Sequence, residues 1–469
     1  MKYRCKTCGF IHDGELNDGY YCPYCLGSLF DFELIEEEEK KYNRVNICED
    51  NHCIYRIEDK CINCGACSRT CQNKVNIKYD SNKCNGVCIG CGQCILSCPV
   101  GALTAKYDYN KILEYINDPE YIVAVMTSPA VRVGIGDAFG YDAGSFLEGK
   151  MVAALKALGF DYVFDTTFGA DLTSMEEAHE LKLRIDKNKK GMFTSCCPSW
   201  VKYASIYHPD LLKDVSSCDS PIGMESTIIK KYFAKNENID LSKFILVALT
   251  PCTSKKEEII NGNCDYVLTT SELALMLREN NVDFKTLEDE EFDSIVGSSS
   301  GTIFGSSGGV ALSVLRVLYY YETGKDLTND LILISDKDYY KEIKVKINSK
   351  IIKCASVSTM GNLEKLLKIK DEFDLIEVMN CDGGCISGGG QILMPIVDMQ
   401  RIKEERSKSL QKKDYRPLIK YPYKNEYIKD LYEEFLMEPG SDISRKLLHV
   451  KHKNLSEILT NKKETNWIV

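Results

Sequence analysis

Four thiols stand in three separate stretches of the chain: Cys197 in TSCCPSW, Cys252 in PCTSKKEE, and Cys381 with Cys385 in CDGGCISGGGQ. Groups so far apart in sequence meet only through folding, and four converging thiolates make a metal site. Cys252 follows the apolar run FILVAL, and Cys381 follows FDLIEVM. Both runs have the length of buried strands. The thiolates are therefore predicted to emerge where strands pass into loops, the usual position of an active site in an α/β fold.

Twelve further cysteines fall into ordered spacings upstream. Cys5 with Cys8, and Cys22 with Cys25, form two CxxC knuckles that can hold one ion by four sulfurs. Tyr3, Phe10, Tyr20, Tyr21, Phe30 and Phe32 supply aromatic cover. The pattern resembles a shortened rubredoxin. Neighbouring electron carriers favour iron, and a structural zinc ribbon is the alternative, because the same geometry suits zinc. Leu26 stands where rubredoxins usually have glycine. The acidic run IEEEEKK from Ile35 to Lys41 then reads as a solvated linker.

Next, Cys61, Cys64, Cys67 and Cys71, followed by Cys88, Cys91, Cys94 and Cys98, repeat the bacterial CxxCxxCxxxC ferredoxin run. Two 4Fe-4S clusters are expected. The fourth cysteine of each run crosses over in that fold, so one cluster takes Cys61, Cys64, Cys67 and Cys98, and the other Cys88, Cys91, Cys94 and Cys71. Cys84 is not needed. Cys48, Cys53, Cys218, Cys264 and Cys354 have no partner spacing and read as buried structural thiols.

The 469 residues, 44% of them hydrophobic, allow a large core with one or two small modules. A net charge of -10 argues against a nucleic-acid partner. The basic stretch Arg401 to Lys413 reads as a solvated helix face. With 23 cysteines and 6 histidines, the chain is too large to need disulfide staples, and its thiols suit metals in a reducing compartment. There is no apolar run of membrane-spanning length, and MKYRCKTCGF lacks the apolar core of a signal peptide, so a cytoplasmic location is expected.

Beyond about Tyr109 strands and helices alternate, which predicts an α/β fold of mostly parallel sheets flanked by helices. TSPAVR, GKMVAALKALGFDYVFDTTFGADLTSMEE, TSCCPSW, PCTSKKEE, GTIFGSSGGV and CDGGCISGGGQ occur here in the order found in FeFe-hydrogenases, which the chain resembles over nearly everything after Asn43. LYEEFLMEPGSDISRKLLHV resembles the family's C-terminal extension. The resemblance divides the chain into a rubredoxin-like module (1–40), a two-cluster ferredoxin domain (41–108) and an H-cluster domain (109–469) that ends in a small-subunit-like extension from about 410.

The resemblance implies an H-cluster: a 4Fe-4S cubane joined through one cysteine sulfur to a diiron unit with carbon monoxide, cyanide and azadithiolate. Matched motif by motif, Cys197, Cys252, Cys381 and Cys385 hold the cubane, with Cys385 as the bridge. Gly383, Gly384, Gly388, Gly389 and Gly390 let backbone approach the inorganic core. Cys196 corresponds to the proton-donating thiol; Glu177, Glu180 and Ser216 carry protons outward on and beside one helix face; and Lys255 donates to a cyanide. Taken alone, the Glu pair would be a solvated face and the lysine a surface residue. Met379 and Pro129 flank the diiron unit. Thr250, Ile222, Ala130 and Asp382 depart from the best-known members, changing polarity there. The implied reaction is reversible reduction of protons to dihydrogen. A soluble ferredoxin, flavodoxin or rubredoxin would exchange electrons, and maturation proteins would supply the diiron unit. A slow hydrogen sensor and an iron-sulfur scaffold are the alternatives; the paired Cys196 and Cys197 speak against the scaffold.

Overall fold

The structure is a computed structural model that describes residues 2–7, 11–23, 25–35, 44–77, 88–415 and 417–459. Cys8, Cys84 and most of the acidic linker lie outside the described residues. At the N-terminus β1 (Lys2–Cys5) pairs antiparallel with β2 (Ile11–Asp13) and β3 (Phe32–Ile35). In the segment 44–108, β4 (Ile54–Arg56) pairs with β5 (Leu103–Ala105), and a short helix lies within each cysteine run, Ala66–Lys74 carrying Cys67 and Cys71 and Gln93–Leu96 carrying Cys94.

Two sheets carry the rest of the chain. In the first, β6 (Ile122–Thr127), β7 (Tyr162–Asp165), β9 (Phe244–Thr250) and β10 (Tyr266–Thr269) run parallel in the order β10-β9-β6-β7. Side chains alternate across a strand, and here both faces are buried. Val123, Val125, Val247 and Leu249 enter one core cluster, while Ala124, Met126, Leu246 and Ala248 enter the other.

The second sheet has the order β11-β12-β13-β14-β8. Its strands β14 (Leu375–Met379), β13 (Lys350–Ser358) and β8 (Met192–Phe193) are parallel, while β11 (Ile332–Asp336) and β12 (Lys341–Ile347) add an antiparallel edge. Strand β14 is buried throughout, including Glu377, whose carboxylate accepts from Gly308 N (2.6 Å), Ala311 N (2.9 Å) and Ser356 Oγ (2.9 Å). Two of those donors are unpaired amides at the start of the helix Gly309–Thr323, where the dipole favours an anion.

The basic stretch lies on the helix Met399–Tyr415 and is only partly solvated. Arg406 is buried, donating to Ile386 O (2.6 Å) and pairing with Asp137, so it fastens this helix beneath the CDGGCISGGG loop. Cys48 also departs from expectation: it is disulfide-bonded, whereas Cys53, Cys218, Cys264 and Cys354 are buried thiols. No helix among the described residues is long and apolar enough to cross a membrane.

Arg316 on the helix Gly309–Thr323 makes two parallel bonds to Asp414 (2.9 and 2.6 Å) and a third to Ser300 Oγ (2.8 Å), all buried. Removing one partner of a buried pair leaves an uncompensated charge. Arg316→Ala is expected to cost about 3–5 kcal/mol, read by denaturant unfolding of cluster-loaded protein, with the C-terminal segment becoming sensitive to protease.

Candidate active site

The four thiols sit at the carboxyl ends of strands from both sheets. Cys197 lies just beyond β8 and caps the helix Pro198–Tyr207; Cys252 lies just beyond β9 and caps the turn Thr253–Glu258. Cys381 follows β14, and Cys385 opens the turn Cys385–Ser387. All four line one cavity together with Cys196. Burial pushes the Cys252 thiol up to about 11, and the adjacent Cys197 adds to the push against Lys255. Burial likewise raises Cys197, Cys381 and Cys385. Four thiolates do not share such a space unless a positive centre compensates them, and among the described residues no histidine lines the cavity. The donor set fits an iron-sulfur cubane.

Pro129, Met379 and Lys255 line the same cavity. Lys255 is not the surface lysine its residue type suggests: it is 7% exposed, and its Nζ donates to Glu258 Oε1 at 2.7 Å. Glu258 also accepts from Ser220 Oγ (2.7 Å) and Asn263 Nδ2 (2.5 Å). Burial works to lower the Lys255 pKa, but the Glu258 carboxylate outweighs it and holds the ammonium above its usual range. Of the departing residues, Thr250, Ile222 and Ala130 form cavity wall. Asp382 does not alter the cavity's polarity: it is half-exposed and pairs with Lys403 Nζ at 2.6 Å.

Glu177 and Glu180 lie one turn apart on the helix Thr167–Asp186. Glu177 is fully buried and accepts from Ser195 N (3.1 Å), while Glu180, nearer the surface, accepts from Ser216 Oγ (3.0 Å) and Ser217 N (3.1 Å). Burial pushes the Glu177 carboxyl up to about 8, Glu180 adds to the push, and the hydrogen bond from Ser195 N opposes it. After burial, Glu177 is the largest influence raising the Cys196 thiol. Ser216 thus bonds Glu180, while Glu177 acts on the Cys196 thiol through its charge, with its Oε2 buried and without a hydrogen-bond partner among the described residues.

The segment that carries the second cysteine run docks directly onto these loops. Thr253 Oγ1 donates to Gly90 O (2.6 Å), and Ser254 Oγ to Ile89 O (2.8 Å). A Cβ on Gly389 would lie 2.5 Å from Gly92 Cα, so Gly389 admits the ferredoxin backbone, not the inorganic core. Within that segment Cys67, Cys88 and Cys98 accept bonds from Val45 N, Gly90 N and Ala102 N, and Arg56 reaches Cys61 at 3.3 Å. Burial raises Cys71, and Cys91, Cys94 and Cys88 are the charges acting most strongly on it. Cys64 is exposed. In the N-terminal module the sulfurs of Cys5, Cys22 and Cys25 lie within 4.8 Å of one another. Leu26 beside them has φ 60°, the left-handed conformation that a glycine would hold without strain.

Sequence reading misses Gln93. Its Nε2 donates to Cys381 Sγ (3.2 Å) and Ser387 O (3.1 Å), which links the second ferredoxin run to a thiol of the cavity. An N–H donor stabilises charge on a cluster sulfur. Gln93→Leu is expected to leave iron content intact and to make the midpoint potential of the cubane at these thiols more negative, as read by redox titration with electron paramagnetic resonance.

Comparison with known proteins accords with this geometry. Residues 121–389 match the iron only hydrogenase large subunit, C-terminal domain; 400–455 match the iron hydrogenase small subunit; and 85–104 match a 4Fe-4S binding domain. The NADP-reducing hydrogenase subunit HndD of Solidesulfovibrio fructosivorans is 38% identical, over 85% of this chain and 74% of its own. Iron hydrogenase 1 of Clostridium pasteurianum is 35% identical, over 84% of this chain and 75% of its own. Protein NAR1 of Arabidopsis thaliana is more distant, at 27% over 81% of this chain and 87% of its own. The solved [FeFe]-hydrogenase HydA1 from Chlamydomonas reinhardtii superposes with a TM-score of 0.66 at 29% identity, covering 74% of this chain and 98% of its own. The chain is an oxidoreductase that belongs to the iron-only, or FeFe, hydrogenase family.

Proposed function

We propose that the chain interconverts protons, electrons and dihydrogen at an H-cluster, in the cytoplasm. The observation that carries this reading is a buried thiol, Cys196, which adjoins the four-thiol cavity and has the buried carboxyl of Glu177 behind it. A site that only passes electrons needs four ligands and no acid. Cys197, Cys252, Cys381 and Cys385 would hold the cubane, with Cys385 bridging to a diiron unit in the space walled by Pro129, Met379 and Lys255. That unit, when bound, supplies the centre at which dihydrogen is made or split.

The protein's own part is protonic and electrostatic. Cys196 would exchange a proton at the cavity and pass it by Glu177, Ser216 and Glu180 to the surface. A Glu177 carboxyl pushed up to about 8 would be mostly protonated at neutral pH yet within reach of losing its proton, which suits a group that must both give and take. Lys255, anchored by Glu258, would present a charge-assisted donor to an anionic ligand of the diiron unit. Electrons would arrive through the segment 41–108, with Cys61, Cys64, Cys67 and Cys98 on one cluster and Cys88, Cys91, Cys94 and Cys71 on the other. The module 1–40 would hold iron on Cys5, Cys8, Cys22 and Cys25 and meet a soluble electron carrier. Maturation proteins would install the diiron unit.

Similarity at 26% identity to a cytosolic Fe-S cluster assembly factor of Danio rerio and to cytosolic iron-sulfur assembly component 3 of Bos taurus favours a second reading, in which the chain is an iron-sulfur scaffold without a diiron unit. Two variants separate relay, ligand and scaffold roles. Cys196→Ala is expected to keep the iron content and lose turnover by about 10²–10⁴-fold, the range of a general acid. Cys252→Ala is expected to lose iron and activity together, because it removes a ligand. Unchanged turnover in Cys196→Ala would sink the relay.

A further inference from the structure

Asn380 stands between the two groups of thiols and holds a buried amide that the fold itself does not use. It follows β14 directly, precedes Cys381, is 2% exposed and lines the four-thiol cavity. Neither its Nδ2 nor its Oδ1 has a hydrogen-bond partner among the described residues. Buried polar groups are nearly always paired, so an amide idle at both ends marks a contact that protein atoms alone do not complete. We propose that the Asn380 side-chain amide donates to the sulfur of Cys91 when that sulfur holds a cluster, and thereby sets the potential of that cluster.

The neighbours single out that sulfur. Cys91 is buried in the second cysteine run, where the carbonyls of Gly90 and Ile89 are held by Thr253 and Ser254 and Gly92 lies against Gly389. Burial pushes the Cys91 thiol up to about 12, and the Gln93 backbone amide and the Asn380 side chain are the two influences that draw it down. The backbone amide of the same asparagine serves the other site. Burial raises the Cys197 thiol, and Asn380 comes first among the groups that lower it. Gln93 is the counterpart. It belongs to the second cysteine run and donates Nε2 to Cys381 Sγ at 3.2 Å, whereas Asn380 belongs to the cavity loop and acts on Cys91. The two amides therefore cross the seam in opposite directions, each onto a sulfur of the other site. A thiol accepts hydrogen bonds weakly, but sulfur bound to iron carries negative charge and accepts well. A donated N–H favours the reduced cluster, because that state holds the greater negative charge. A neutral amide does so without adding a charge beside thiols that already raise one another: Cys91 is among the groups that push Cys381 up.

The inference rests on the reading above, in which Cys88, Cys91, Cys94 and Cys71 hold one cluster. The test is a redox titration of anaerobic, cluster-loaded full chain followed by electron paramagnetic resonance, comparing wild type with Asn380→Leu, Asn380→Ala and Gln93→Leu at equal iron content. The signal that Cys94→Ala removes identifies the cluster on Cys91. Asn380→Leu keeps the bulk and removes the donor, so reduction of that cluster is expected to become about tenfold less favourable, with a more negative midpoint potential. Asn380→Ala, which leaves space in place of bulk, is expected to shift it in the same direction. The cubane at Cys197, Cys252, Cys381 and Cys385 stays close to its wild-type potential in both, whereas Gln93→Leu moves the cubane instead. Midpoint potentials of the Cys91 cluster that match wild type in both Asn380 variants overturn the inference, as does a shift confined to the cubane. Wild-type protein with no signal that Cys94→Ala removes overturns the cluster reading beneath it, so the two failures are told apart by the wild type alone.

Discussion

Collecting four thiols in one buried cavity is the constraint to which the rest of the structure answers. Each thiolate withdrawn from water costs several kcal/mol unless a partner compensates it, and like charges side by side add to that cost. Metal supplies the compensation, but the ligands must be held before it arrives. Rigid supports do this: Cys197 and Cys252 cap helical turns whose amides favour anions, and the loop of Cys381 and Cys385 is braced by Arg406 from beneath.

The two sheets explain why three distant stretches meet. Strands β8 and β14 are adjacent and parallel in one sheet, and β9 is central in the other, so their carboxyl ends open toward a common space. Burial of both faces makes these strands nearly continuous apolar runs, and in β14 the buried Glu377 is fixed by Gly308 N, Ala311 N and Ser356 Oγ. The same seam accepts the segment matched to a 4Fe-4S binding domain, where Gln93, Thr253 and Ser254 join the second cysteine run to the cavity loops. Under the proposed function, protons and electrons would reach the cavity from different elements, the helix Thr167–Asp186 on one side and the residues 88–98 on the other.

Much of this is legible in the chain because its signals are local. FILVAL and FDLIEVM are buried strands by length and composition, and β9 and β14 lie where they predict. The repeated cysteine spacing and the helix that carries Glu177 were readable in the same way, whereas the meeting of the four thiols, a product of folding, was an expectation supported by the order of motifs shared with FeFe-hydrogenases. Residues that act by tertiary contact were not. Gln93 sits between two cysteines as ordinary filler, Glu258 is one acid among several after PCTSKK, and His449 lies about 270 residues from Glu176. Asp382 misled because sequence adjacency to Cys381 suggested a place in the cavity, whereas the left-handed turn at Gly383 and Gly384 sends it out to Lys403. Arg406 misled in the opposite direction, since a basic run gives no sign of which member turns inward.

Anaerobic hydrogen evolution from reduced methyl viologen tests the central claim most directly, using protein produced together with diiron-site maturation factors and assayed for iron. The account predicts rapid evolution that scales with diiron loading. Fully metallated protein that evolves no hydrogen would contradict it and would leave the cavity as a holder of cubanes.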